Sequence, residues 1–164
     1  MSCHDTVYPV ELTQAEFEHL LRLRTGLRRF LRWSEQEAQA AGLTSAQHQL
    51  LLAIRGHPGG GPPTIGEIAD YLVLRHHSAG ELIDRAEAAG LVVRNPDPVK
   101  GTQVRVSLTG TGTVKLNRLA ETHLAELAHL APTMRALWKA LQANPSSAAP
   151  DRSPSATRSS SLTA

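Results

Sequence analysis

The sequence predicts a mainly α-helical fold: four helices followed by a two-stranded hairpin, with long helices at both ends of the chain. Three observations predict it. Apolar residues recur at helical spacing through most of the 164 residues. The run from Thr64 to Asn95 reads as two short helices joined by a tight turn and followed by a strand. Glycine- and proline-rich stretches separate the elements.

The first long helix spans about 11–41. Phe17, Leu20, Leu21, Leu27, Phe30, Leu31 and Ala38 keep a helical period, interleaved with Arg22, Arg24, Arg28, Arg29 and Arg32. Gly42 stops it. Thr44 or Ser45 caps a second helix from Ala46 to Arg55, with Leu50, Leu51 and Ile54 pointing inward. The stretch GHPGGGPPT, Gly56 to Thr64, holds three consecutive glycines and three prolines and is expected as an exposed loop. Ile65, Ile68, Ala69 and Leu72 form the apolar stripe of the third helix, and Ala79, Leu82, Ile83 and Ala86 that of the fourth. Gly90 can take the left-handed conformation that closes a helix.

Leu91 to Arg94 starts a hairpin that turns at NPDPVKGT and returns over Gln103 to Leu108, where Val104, Val106 and Leu108 alternate with Arg105 and Ser107. Thr109 caps a helix over about 112–131, after which Pro132 is expected to interrupt the chain and start a short final helix through Met134, Leu137, Trp138 and Leu141. The Ser/Pro/Ala-rich end is expected to be disordered. The domain plan is an N-terminal arm (1–10), one folded domain (11–143) and a tail (144–164). Within the domain lie a helix-turn-helix core with a hairpin wing (about 44–109) and flanking dimerisation helices (about 11–41 and 112–143).

Composition narrows the function classes. No apolar run approaches the roughly 18 residues of a membrane span, and the N-terminus lacks a secretory pattern, so the cytoplasm is the expected location. The only cysteine, Cys3, allows no internal disulfide and sits in an expected frayed end. The formal charge of +2 is compatible with nucleic acid without arguing for it. Between Thr64 and Thr109, Arg75, Arg85, Arg94, Lys100 and Arg105 face six acids (Glu67, Asp70, Glu81, Asp84, Glu87, Asp97), so the placement of charge matters more than its sum. No nucleophile–base pairing or phosphate-cradling glycine motif is present, which argues against an enzyme, and no cofactor is expected. The eight histidines have poor spacing for a metal: His76 and His77 are adjacent, and His123 and His129 are off the i, i+4 register. His19, His48 and His123 remain able to converge in space.

A helix-turn-helix places the start of its second helix in the DNA major groove. Arg75, His76, His77 and Ser78 open that helix here, Arg85 lies further along it, and Thr64 precedes the first helix of the pair. Ser78 and Glu81 also have capping-box spacing, which would start the helix later and leave the histidines in the turn. The outer helices carry more apolar surface than a small winged domain buries, so a homodimer is expected, with a pseudo-palindromic double-stranded operator as partner.

Four segments, LTSAQHQLLLAI, TIGEIADYLVL, ELIDRAEAAGLVVRN and VRVSLTGTG, together resemble the MarR family of winged-helix transcriptional regulators over about Thr13 to Leu141. The resemblance implies a homodimeric DNA-binding regulator, commonly a repressor released by a small ligand or an oxidant. It also implies an effector crevice between the dimer helices and the winged unit, where Arg29, Phe30, Trp33 and His48 offer an aromatic wall and positive charge for an aromatic acid or phenol. Two positions depart from the family. The Asp-x-Arg of the family wing is Lys100 and Thr102 here, which leaves Lys100, Arg94 or Arg105 to supply the wing contact. Glu81 stands where a basic residue is frequent, and its carboxylate either repels phosphate or accepts from a cytosine amine. These departures motivate an alternative reading, an interaction adaptor that keeps the fold with lost or weakened operator binding. A metal-sensing regulator is the third reading.

Overall fold

A computed structural model describes residues 12–142. Helix α1 runs Gln14–Ala40, α2 Ser45–Arg55, α3 Ile65–Leu72 and α4 His76–Ala88; strands β1 (Val92–Pro96) and β2 (Val104–Leu108) follow, and α5 spans Gly110–Gln142. This is the mainly helical winged architecture that the apolar periods predict.

The helix starts are written locally. Thr13, Thr44 and Thr64 each accept a hydrogen bond from the backbone N–H three residues on, while the side chains of Glu16, Gln47 and Glu67 each accept one from the threonine N–H. In each the threonine N–H is the donor and the Glu or Gln side-chain oxygen the acceptor, a capping box that satisfies donors a helix leaves unpaired at its N-terminus. Gly42 and Gly90 take positive φ, 71° and 68°, and end their helices as expected. Thr109 Oγ1 accepts from Gly112 N at 3.0 Å and so caps α5.

The hairpin is antiparallel, pairing Val92 with Leu108 through to Pro96 with Val104. The glycine-proline loop does not stay wholly exposed. Its last residues lie along β2: Val106 N donates to Pro63 O at 2.9 Å, Thr64 bridges to Arg105, and Pro63 is buried. A loop that ends on a sheet edge satisfies backbone groups that burial would otherwise orphan.

The core sits inside the winged unit. Leu50, Leu51 and Ile54 of α2 pack with Ile68, Leu82, Ile83, Ala86, Leu91, Val92 and Val106, and Leu116 and Leu119 of α5 close it. Ala38 and Leu43 join from the end of α1 and the turn after it. Beyond this contact the outer helices keep large apolar residues in solvent: Phe17, Leu20, Leu21, Leu27 and Leu31 on α1, Leu124, Leu127 and Trp138 on α5.

The last helix differs from expectation. α5 continues through Pro132 as one 33-residue helix instead of breaking into two. Proline removes the hydrogen bond to the carbonyl four residues earlier, that of Ala128. Pro132 and Ala128 are both exposed, so water can satisfy that carbonyl and the helix persists. The N-terminal arm with Cys3 and the tail from 144 lie outside the described residues.

Candidate nucleic-acid interface

The turn between α3 and α4 sets the interface. α3 ends on Val73, held left-handed at φ 53° and ψ 43° with its side chain 90% exposed. Leu74 N returns to Ala69 O at 2.9 Å, and Arg75 then acts as N-cap of α4 without a side-chain cap bond. The helix therefore starts at His76. The alternative start through a Ser78–Glu81 capping box is not adopted, and Glu81 Oε1 lies instead 3.3 Å from His77 Nε2.

Burial defines the face. Ala79, Leu82, Ile83 and Ala86 point into the core, while Arg75, His76, His77, Glu81 and Arg85 are exposed and Ser78 is half-buried. Among the described residues no acid lies within salt-bridge distance of Arg75 or Arg85. Both guanidiniums are open to an external anion, and a helix N-terminus adds its own positive end there.

The other two candidate arginines turn inward. Arg94 donates to Glu87 at 2.5 Å, to Asp84 at 2.7 Å and to the Gly80 carbonyl at 3.3 Å, which ties β1 to α4. Its backbone N–H also donates to Glu87, and these bonds, backbone first, hold the Glu87 carboxyl below its ordinary range. Arg105 donates through Nε to Asp97 at 2.6 Å and through Nη1 to Pro62 O at 2.6 Å, which ties the wing to the loop before α3. Arg94 and Arg105, the two arginines expected as stand-ins for the wing contact, are thus each engaged by acidic partners within the fold. Thr64 is likewise engaged, in the cap of α3, where its hydroxyl and backbone hold the Glu67 carboxyl low.

Lys100 remains exposed at the wing, and Val99 beside it is 88% exposed. Asp97 organises this tip. Buried at 4% exposure, it accepts from Lys100 N at 2.8 Å, Val99 N at 2.7 Å and Arg105 Nε at 2.6 Å. The two backbone donors, followed by Arg105, pull its carboxyl down to about 2. The sequence signal for this is an aspartate opening a Pro-containing turn, whose side chain bonds the backbone two residues on.

A second site lies between α1 and α5. A groove of about 1100 Å³ is lined by Arg29, Phe30 and Trp33 from α1 and by Glu126, Leu127 and Leu130 among others from α5. His48, expected beside them, does not line this groove. It is buried on α2 against His123, ring centroids 4.7 Å apart, while His123 packs at a tilt against Trp33 with centroids 4.9 Å apart. Burial, then the neighbouring His123, pushes the His48 imidazole below its ordinary range. His123 Nε2 lies 2.7 Å from Ser34 Oγ and Nδ1 2.7 Å from Leu119 O, so this cluster joins α1, α2 and α5. His19 stands apart in the groove lining. Among the described residues no three His, Cys, Asp or Glu side chains are arranged to hold a metal ion, and no helix is long and apolar enough to cross a membrane.

Residues 41–101 match the sequence profile described as MarR family. No curated protein matches the chain. Solved structures do. The transcriptional repressor CouR bound to a 23-mer DNA duplex is 26% identical with a TM-score of 0.60, over 81% of this chain and 97% of that one. A MarR family protein from Bacillus stearothermophilus is 22% identical with a TM-score of 0.64, over 81% and 98%. A further MarR family transcription regulator is 20% identical with a TM-score of 0.65, over 79% and 87%.

Proposed function

This chain belongs to the MarR family of DNA-binding winged helix-turn-helix transcriptional regulators, and from that premise we propose that it acts as a homodimeric, ligand-responsive repressor of a pseudo-palindromic operator. The observation that carries the reading is the exposed start of α4, with Arg75 and Arg85 unpaired among the described residues while Arg94 and Arg105 brace the wing beside it. Arginine can make two hydrogen bonds to guanine, and His76, His77 and Ser78 add donors and acceptors at the same end of the helix. Lys100 reaches phosphate from the wing tip, in the role the family gives to an arginine there.

The uncovered apolar stripes of α1 and α5 support dimerisation, since exposed apolar surface of this extent is characteristic of an interface. In this reading residues 44–109 are the DNA-reading unit and the two long helices the dimer unit. The cytoplasm is the working compartment. Two recognition helices related by a twofold axis meet half-sites about one helical turn apart. A small aromatic or phenolic acid in the α1–α5 groove, against Phe30 and Trp33 with Arg29 as counter-charge, adjusts their spacing.

Footprinting across the protein's own gene neighbourhood tests the reading. The expected result is protection of a palindrome by the wild type and its loss with Arg75→Ala. Absence of protection at low salt would favour the adaptor reading instead.

A further inference from the structure

We propose that Glu81, exposed on the outward face of α4 and set beside the bare backbone of Gly80, reads the amino group of a cytosine in each operator half-site. The assignment rests on the operator-binding reading above and names what one position of the recognition helix selects.

Steps of 100° around α4 place Ala79, Leu82, Ile83 and Ala86 on one side and His77, Glu81, Asp84 and Ala88 on the other. Asp84 is drawn to Arg94, which leaves Glu81 as the acid on the outward face of the first two turns. Its carboxylate lies 3.3 Å from His77 Nε2, one turn nearer the helix start, and among the described residues no Lys or Arg pairs with it. An acid here is unfavourable against phosphate, so it needs a donor among the base edges.

The major groove offers two amino donors, N4 of cytosine and N6 of adenine. Adenine presents its N7 acceptor beside the amine, which repels a group that is acceptor-only, whereas cytosine does not. A carboxylate therefore selects cytosine.

Gly80 is the second observation. A glycine inside a helix is unfavourable relative to alanine, yet a Cβ at this position would meet nothing within 4 Å. Packing within the chain does not require the glycine. A backbone without a side chain beside Glu81 lets the helix approach the groove floor, within reach of a short carboxylate side chain.

Selection of half-sites from a random duplex library by the full chain tests the assignment. The wild type is expected to enrich cytosine at one position per half-site, with about a tenfold loss when that base is replaced. Glu81→Gln moves the preference to adenine, since an amide both donates and accepts, and Glu81→Ala erases the preference at that position alone. Gly80→Ala melts no lower than wild type and weakens binding to the selected sites. The same bases selected by all three Glu81 forms, or uniform tightening of every sequence by Glu81→Ala, would overturn the assignment and leave the acid as a simple repulsive charge. Unchanged affinity of Gly80→Ala would overturn the close approach on which it depends. If the wild type selects no sequence, the operator reading itself fails.

Discussion

Gly112 in the first turn of α5 sets how that helix seats on the winged core. A Cβ at this position would run into the Leu91 carbonyl, with the Leu91 Cα also in contact. That carbonyl cannot move away freely, because it accepts from Thr109 N at 3.0 Å and Thr109 Oγ1 at 3.1 Å, and Leu91 is itself 2% exposed. Gly112→Ala must displace either the helix or the start of the wing. Overpacking of this kind costs about 1–3 kcal/mol, which for a domain of this size lowers the melting temperature by about 3–10 °C. Gly110→Ala, two residues earlier with nothing within 4 Å of its Cβ, is the internal control and should melt like the wild type. Thermal unfolding at matched protein concentration, followed by circular dichroism, measures both, the matching being needed because association shifts apparent stability. Equal melting of the Gly112 and Gly110 variants would refute the close approach of α5 to Leu91.

Other outcomes follow from the same geometry. Val73→Gly relieves left-handed strain of about 1–2 kcal/mol against a glycine entropy cost of about 0.5–1 kcal/mol, so it should stabilise by roughly 0.5–1 kcal/mol, read as a rise in melting temperature. The lowered carboxyl of Asp97 means that its stabilisation of the wing is fully present above the ordinary value of 3.8 and is lost as pH falls through about 2. The amide resonances of Val99 and Lys100 should hold their positions down to about pH 4 and shift below it; Asp97→Ala should speed tryptic cleavage after Lys100 at neutral pH. Burial, then His123, disfavours the charged form of His48, so its contribution is present above the ordinary value of 6.5 and is lost as pH falls below that through its lowered folded value. The melting temperature should therefore drop on acidification from about pH 7 to pH 5, with a shallower slope in His48→Leu.

Much of the fold was legible because its signals are local. A threonine just ahead of the first apolar turn, or a glycine just past the last, specifies a helix end within a few residues of chain. The starts at Thr44 and Thr109 and the stops at Gly42 and Gly90 could be read in this way. The continuity of α5 could not, because the effect of Pro132 depends on whether the carbonyl it leaves unpaired reaches solvent. The pairings of Arg94 and Arg105 depend on which acids the hairpin register and the α4 docking bring within reach, and no spacing in the sequence encodes that. His48 was legible as a chemistry-bearing side chain near the dimer helices, but its direction, toward His123 rather than the groove, is set by how α2 packs between α1 and α5.

The account turns on two copies of this chain holding one operator through the start of α4. Sedimentation equilibrium of the wild type with the duplex it protects tests this directly. The predicted result is two chains per duplex, with Arg75→Ala still dimeric in free solution but no longer co-sedimenting with the DNA. A single chain per duplex, or full binding by Arg75→Ala, would contradict it.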